Sequence, residues 1–212
     1  MQNFLEERKR MVERQLRTRG ISDRRVLDAF ESIPRHLFVP EESRAWAYED
    51  CPHRIGHGQT ISQPFIVAYM IGLLELTGGE RVLEVGTGSG YEAAILSHLA
   101  PEVHTIELIP ALADRAAHTL ADLGIANVLI HIGDGSQGWL ESAPYDAIIV
   151  SAAAPRVPKP LLHQLADHGR MILPIGDREF QELELWRREG DLLSHETLLP
   201  VAFVPLRGKD GV

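Results

Sequence analysis

Val82-Leu83-Glu84-Val85-Gly86-Thr87-Gly88-Ser89-Gly90 decides the fold. An apolar run of strand length passes into three glycines within five residues, and Tyr91-Glu92-Ala93-Ala94-Ile95-Leu96 continues with helical character. Glycines there let the chain turn tightly and let a ligand approach its backbone, while free amides at the helix start attract polar ligand groups. A tight turn with no ligand is the plainer alternative. Three glycines directly after a buried strand weigh against it.

Working outward, strands and helices alternate. Arg81–Gly86 reads as a strand, Gly90–Leu99 as a helix, Val103–Leu108 as a strand, Ala111–Leu123 as a helix and Val128–Ile132 as a strand. Asp146–Ser151 is a further strand, Lys159–Ala166 a short helix and Met171–Ile175 a fifth strand. Short strands separated by helices predict βαβ units, hence an α/β, doubly wound, mostly parallel sheet. Leu183 and Leu185, then Leu192 and Leu193, flank Glu189-Gly190-Asp191 and predict a C-terminal antiparallel hairpin, with Val201–Pro205 as a last extended piece.

Upstream, Phe4, Leu5, Met11, Val12 and Leu16 recur at helical spacing, and that helix should stop at Gly20. A second helix should start at a Ser22 cap and end before Pro34. Periodicity disappears from Tyr48 to Ser62, which reads as a long irregular loop. Pro64 then opens a helix closed by Gly78-Gly79. The expectation is one domain over 1–212: helices and loop in 1–78, a βαβ core in 79–176, and the hairpin with its closing segment in 177–212.

Composition bounds the class. The chain of 212 residues carries 21 bases against 30 acids (net −9), 44% hydrophobic residues and one cysteine. At this size roughly 70% of the unfolded surface can be buried, so the core needs no disulfide or structural metal. Cys51 alone cannot form an internal disulfide, and the apolar stretch Ile66–Leu74 is far shorter than the roughly 20 residues of a membrane span. The N-terminus has acids where a signal peptide would place bases. These features predict a soluble, cytoplasmic monomer with no membrane partner. Residues 1–25 hold eight bases and four acids, but the apolar spacing makes those bases the wet face of a helix, so no nucleic-acid partner is expected. Among ten histidines, His53 and His57 lack a companion Cys or Asp, so no metal site is expected.

Several chemistries fail on the letters. Gly208-Lys209 is followed by Asp210, so there is no P-loop, and Gly86-Thr87-Gly88-Ser89-Gly90 puts glycine where a nucleophile elbow needs serine. Gly88-Ser89-Gly90-Tyr91-Glu92-Ala93 does fit a dinucleotide fingerprint, with Glu107 about 20 residues beyond the glycines. Nicotinamide chemistry therefore stays open, although no tyrosine is followed four residues later by lysine. Glu107 ends its strand where a carboxylate can accept from both hydroxyls of a ribose. Asp134, in Gly133-Asp134-Gly135, either accepts from an adenine amino group or simply forms the turn. Gly86, Thr87, Gly88, Ser89, Glu107, Asp134 and Gly135 are thus the candidate cofactor residues, all at one edge of the sheet.

Gly58-Gln59-Thr60-Ile61-Ser62-Gln63-Pro64 resembles the protein-L-isoaspartate O-methyltransferase family. The resemblance extends from the N-terminal helices to about Leu206, through Val82–Ala94, Asp146–Pro155, Gly169–Gly176 and Phe203-Val204-Pro205-Leu206. It implies a class I S-adenosylmethionine-dependent, Rossmann-like sheet with an N-terminal helical addition. The implied reaction moves methyl from S-adenosyl-L-methionine to the α-carboxylate of an isoaspartyl residue, leaving S-adenosyl-L-homocysteine; the ester then closes to a succinimide that can reopen as aspartate. It further implies Ser62 as the active-site serine, Glu107 as the ribose acid, Asp134 as the adenine-side acid, and Thr60, Ile61, Gln63, Val204 and Leu206 as substrate-binding residues. From local sequence alone Ser62 reads as a helix cap ahead of Pro64. Where the family commonly has Leu-Pro-Ile-Gly, this chain has His53-Arg54-Ile55-Gly56. Three other readings stay open: another class I methyltransferase, a nicotinamide-dependent oxidoreductase, and a module that binds the methyl donor without catalysis.

Overall fold

Strand β3 (Arg81–Val85) sits near the middle of a seven-stranded sheet in the computed structural model, which describes residues 3–212. A two-stranded ribbon precedes it, β1 (His53–Gly56) and β2 (Gln59–Ile61). After it come β4 (Glu102–Glu107), β5 (Val128–Ile132), β6 (Tyr145–Val150), β7 (Leu165–Gly176), β8 (Gln181–Glu189) and β9 (Leu192–Val201). The order across the sheet is β5-β4-β3-β6-β7-β8-β9, parallel from β5 through β7 and antiparallel from β7 onward. The expected antiparallel hairpin is β8–β9, and it extends the same sheet. Strand order reverses between β3 and β6, the point where ligands bind in open α/β sheets.

The helices are α1 (Phe4–Met11), α2 (Arg24–Ser32), α3 (Pro64–Leu73), α4 (Tyr91–Leu96), α5 (Pro110–Asp122) and α6 (Lys159–Gln164). The N-terminal helical run continues past α1 in π and 3-10 form to Arg19, and Gly20 stops it at φ 95°. The cap of α2 is Asp23 rather than Ser22: its carboxylate accepts from the amides of Arg25 and Val26. Tyr48–Ser62 is not irregular throughout, since Arg54 pairs with Thr60 across the β1–β2 turn.

Strands β3, β4 and β6 are buried on both faces, so none alternates apolar with polar residues, and the buried polar groups Glu84, His104 and Thr105 lie within them. Met11, Leu16, Phe30 and Ile71 join Val82, Val103 and Ile149 in one apolar cluster, so the N-terminal helices cover one face of the sheet. Leu83, Ile148, Leu161 and Leu173 form the cluster on the other. Parallel register puts Val85 beside both Ile106 and Val150, so the segments after β3, β4 and β6 emerge at one edge. No helix among the described residues is long and apolar enough to cross a membrane.

Candidate active site

Two adjoining cavities occupy that edge. The first, with about 830 Å³ of empty space partly open to solvent, is walled by Gly86–Ser89, Glu107, Gly135 and Ser151. The second, about 920 Å³, is a groove between Pro52, Gln63 and Ile66 on one side and Pro200–Val204 on the other. Thr60, Ser62, Ser151 and Val204 line both. Both volumes suit small-molecule or peptide ligands.

The glycine turn is held by its backbone. Gly86 and Thr87 both donate to the Ile106 carbonyl, at 2.9 and 3.2 Å, and Gly90 donates to Thr87 at 2.8 Å. Gly88 has φ 53°, and a Cβ there would meet Ile55 Cδ1 at 3.4 Å, because the β1–β2 ribbon lies over the turn. A Cβ on Gly135 would come within 2.5 Å of Val85 Cγ1, so only glycine lets that loop close on β3. Glu107 Oε2 accepts from the Gly88 amide at 2.8 Å and Oε1 from the Ile109 amide at 2.9 Å. Each oxygen keeps one acceptor position, enough for two vicinal hydroxyls. The hydroxyl of Thr87 is spent on Thr105 at 2.6 Å, and that of Ser89 accepts from the Tyr91 amide at 3.3 Å. Thr87 therefore has neither amide nor hydroxyl left to donate, and it shapes the cavity wall.

Asp134 departs from expectation. Its Oδ1 accepts from the Ser136 amide and hydroxyl and its Oδ2 from the Lys209 amide, and it is absent from the cavity wall. The carboxylate ties the turn to the C-terminal segment, so the turn-forming alternative is the one this geometry supports; Gly135 alone of the pair faces the cavity. The substrate candidates also divide. Thr60 and Val204 line both spaces, Gln63 lines the groove, and Ile61 and Leu206 line the first cavity instead. Leu206 donates to the Ala153 carbonyl at 2.7 Å and Ala153 to that of Val204 at 2.8 Å, which presses the closing segment against the end of β6.

Ser62 is half-buried where the cavities meet. The N-cap of α3 is Gln63, with no side-chain capping bond, so the Ser62 hydroxyl is not spent as a cap. Its carbonyl accepts from Arg35 Nη2 at 2.7 Å.

Sequence reasoning missed a buried carboxyl pair. Glu84 and Glu92 are both buried and both line the first cavity. Glu84 Oε2 accepts from Thr105, and its Oε1 has no partner. Glu92 Oε1 accepts from the Ser151 hydroxyl at 2.9 Å. Burial first, then the charge of Glu92, pushes Glu84 well above the usual carboxyl range, against the Thr105 hydrogen bond. Burial pushes Glu92 up to about 7, opposed by Ser151. Glu84 was legible as an acid inside an apolar strand; Glu92, on a helix start, gave no such signal.

A doubly wound sheet with an antiparallel edge, this glycine turn, a strand-end carboxylate bridging it to the next helix, and a cavity at the switch point is the arrangement of a class I S-adenosylmethionine-dependent methyltransferase. Residues 6–211 match the family described as protein-L-isoaspartate(D-aspartate) O-methyltransferase. A relative of that name from Roseiflexus sp. (strain RS-1) is 54% identical over 97% of this chain and 94% of its own length. One from Syntrophobacter fumaroxidans is 52% identical over 100% and 99%. A solved protein-L-isoaspartate O-methyltransferase superposes with a TM-score of 0.85 at 31% identity, covering 96% of this chain and 66% of that one. A Plasmodium falciparum structure described as a beta-aspartate methyltransferase in complex with S-adenosyl-L-homocysteine gives 0.82 at 28% identity, covering 94% and 98%. This chain belongs to the protein-L-isoaspartate(D-aspartate) O-methyltransferase family.

Proposed function

We infer that this protein transfers a methyl group from S-adenosylmethionine to the α-carboxylate of isoaspartyl residues in proteins and peptides. The observation that carries this reading is the meeting of two cavities at Thr60, Ser62, Ser151 and Val204, with the hydroxyl of Ser62 there unbonded among the described residues. The first cavity fits the methyl donor: the Gly86–Ser89 turn and Gly135 wall it, Glu107 keeps two acceptor positions, and Glu84 Oε1 is a buried polar atom with no hydrogen-bond partner. When bound, the donor supplies an electrophilic methyl group.

The residues then have separate tasks. A carboxyl group with a pKa near 4 is about a thousandfold ionised at pH 7, so no side chain need act as general base. Ser62 donates its hydroxyl proton to one carboxylate oxygen and leaves the other free to attack. Thr60 and Val204 wall the junction, and Pro52, Gln63 and the Pro200–Phe203 segment hold the peptide. Glu107 anchors the ribose, and the Gly86–Ser89 turn walls the donor's side of the cavity. Holding the oxygen roughly 3 Å from the methyl carbon and in line with it is the main source of rate. We take the enzyme to be a monomer of the reducing cytoplasm acting on no nucleic acid, in keeping with its single free cysteine.

The test is radiolabelled methyl transfer to an isoaspartyl peptide beside its aspartyl twin. Labelling of the isoaspartyl peptide alone is expected. Equal labelling of both, or reduction of a nicotinamide without methyl transfer, would sink the reading.

A further inference from the structure

Arg35 is fully buried and makes no ion pair among the described residues. It follows Pro34 at the end of α2, and its fork joins three parts of the molecule. Nε donates to the Ala47 carbonyl at 2.8 Å and Nη2 to the Ser62 carbonyl at 2.7 Å. The guanidinium carbon lies 4.8 Å from the ring centroid of Tyr91, the first residue of α4 behind the glycine turn. Nη1 and the Tyr91 hydroxyl are both buried with no well-formed hydrogen bond, and each is the side-chain group that acts most strongly on the other, so the guanidinium meets no carboxylate.

A buried charge without a counter-charge costs several kcal/mol, and two carbonyl acceptors with one aromatic face offset only part of that. Joining two loop carbonyls does not require a cation, since a neutral amide could donate to both. The position of the charge is more informative. It stands directly behind the residue whose hydroxyl opens onto the groove, and the walls of that groove carry no charged side chain. A guanidinium bonded to the Ser62 carbonyl fixes the backbone that aims the hydroxyl, and polarises the Ser62–Gln63 peptide toward donating. The substrate group that meets this peptide is an anion. In an interior of low dielectric, an unpaired cation close behind acts on it far more strongly than one in water.

We propose that Arg35 is a positioning residue for methyl transfer: its fork fixes the Ser62 backbone, and its unpaired charge is the counter-charge of the substrate carboxylate. This rests on the reading of Ser62 as the residue that holds that carboxylate. The two parts separate by substitution, because lysine keeps the charge but cannot span both carbonyls, whereas methionine loses both.

The experiment is a set of methyl-transfer kinetics with an isoaspartyl peptide for wild type, Ser62→Ala, Arg35→Lys, Arg35→Met and the Ser62→Ala/Arg35→Lys double variant. Arg35→Lys is expected to lower kcat about tenfold with peptide KM within about twofold, and Arg35→Met to raise KM about tenfold as well. In the Ser62→Ala background, Arg35→Lys should lower kcat less than about twofold, since the hydroxyl it aims is gone. An equal loss in both backgrounds, or an unchanged KM in Arg35→Met, overturns the proposal while leaving Ser62 in place. Undiminished turnover by Ser62→Ala overturns both readings. Should the variants not fold, wild type labelled with 15N-arginine gives an independent readout. The Arg35 Nε–H resonance should shift with the isoaspartyl peptide and not with the same peptide carrying an α-carboxamide. Equal shifts, or none, overturn the proposal.

Discussion

Glu92→Gln puts a number on the carboxyl pair in the donor cavity. Glu92 is buried beside Glu84, which has its own unpartnered oxygen, and burial raises its pKa from 4.5 to about 7. At about 1.4 kcal/mol per pKa unit, that rise corresponds to about 3 kcal/mol. Because the folded value lies above the unfolded one, the folded state binds more protons between them. The stabilisation is complete below about pH 4.5 and is lost as pH rises through about 7. Glutamine stays neutral throughout, still accepts from the Ser151 hydroxyl, and brings an N–H donor beside Glu84. The cofactor-free variant should therefore match wild type at pH 5 and exceed it at pH 8 by about 3 kcal/mol, or roughly 6–12 °C in Tm for a domain of this length. Thermal and urea unfolding at pH 5, 6.5 and 8 measures this. A stability gap that does not widen with pH would refute the reasoning, because the pair would then titrate no differently folded and unfolded.

Glu107→Ala removes two charge-assisted acceptors and should weaken S-adenosylmethionine binding about ten- to hundredfold by calorimetry; unchanged affinity would contradict the ribose assignment. Asp134→Ala should instead cost about 1–2 kcal/mol of stability, as a lost cap does, and leave donor affinity within about threefold. A loss as large as that of Glu107→Ala would mean that the carboxylate turns into the cavity on binding. Arg54 is exposed, makes no ion pair among the described residues, and lies directly across the ribbon from Thr60. Arg54→Glu should raise KM about two- to fivefold for isoaspartyl peptides with acidic neighbours and lower it for basic ones, with kcat unchanged. The contrast should fade in 1 M salt, where the Debye length is about 3 Å; the same KM shift for both peptides would exclude a charge effect.

The sheet was legible because short strands rich in Val, Ile and Leu alternate with helical segments, and three glycines mark the turn after β3. The β1–β2 ribbon was not. Its strands are three and four residues long with a bulge at Ile55, and Gly56, His57 and Gly58 all have positive φ, so no alternation shows. What holds it is tertiary: Ile55 packs over Gly88, and Arg115 donates to the Ile55 carbonyl at 2.5 Å. Ser22 and Asp23 are both good caps, and only geometry chooses between them. Glu107 was readable from its distance beyond the glycines. Asp134 was ambiguous because an aspartate between glycines suits a turn as well as a ligand. Arg35 and Glu92 were invisible for one reason: charged residues are solvent-facing by default, and their burial is decided by elements far away in the chain.

The charges of the site are arranged for two reactants of opposite sign. Glu107 lies on the donor side, beside the buried Glu84 and Glu92 whose carboxyls burial pushes toward their neutral forms, and Arg35 lies behind the groove. In the proposed reaction a sulfonium and a carboxylate become a thioether and an ester, so both charges vanish as the bond forms. Electrostatic complementarity to the reactants is therefore strongest before the transition state, and by itself it lowers KM rather than raising kcat. It has a second effect, which is that neutral products are held less firmly than charged reactants. The rate must then come from alignment at the junction of the two cavities. That division explains why the hydroxyl of Ser62 is free while its backbone is fixed from behind by Arg35: the side chain meets the substrate, and the buried charge keeps it aimed.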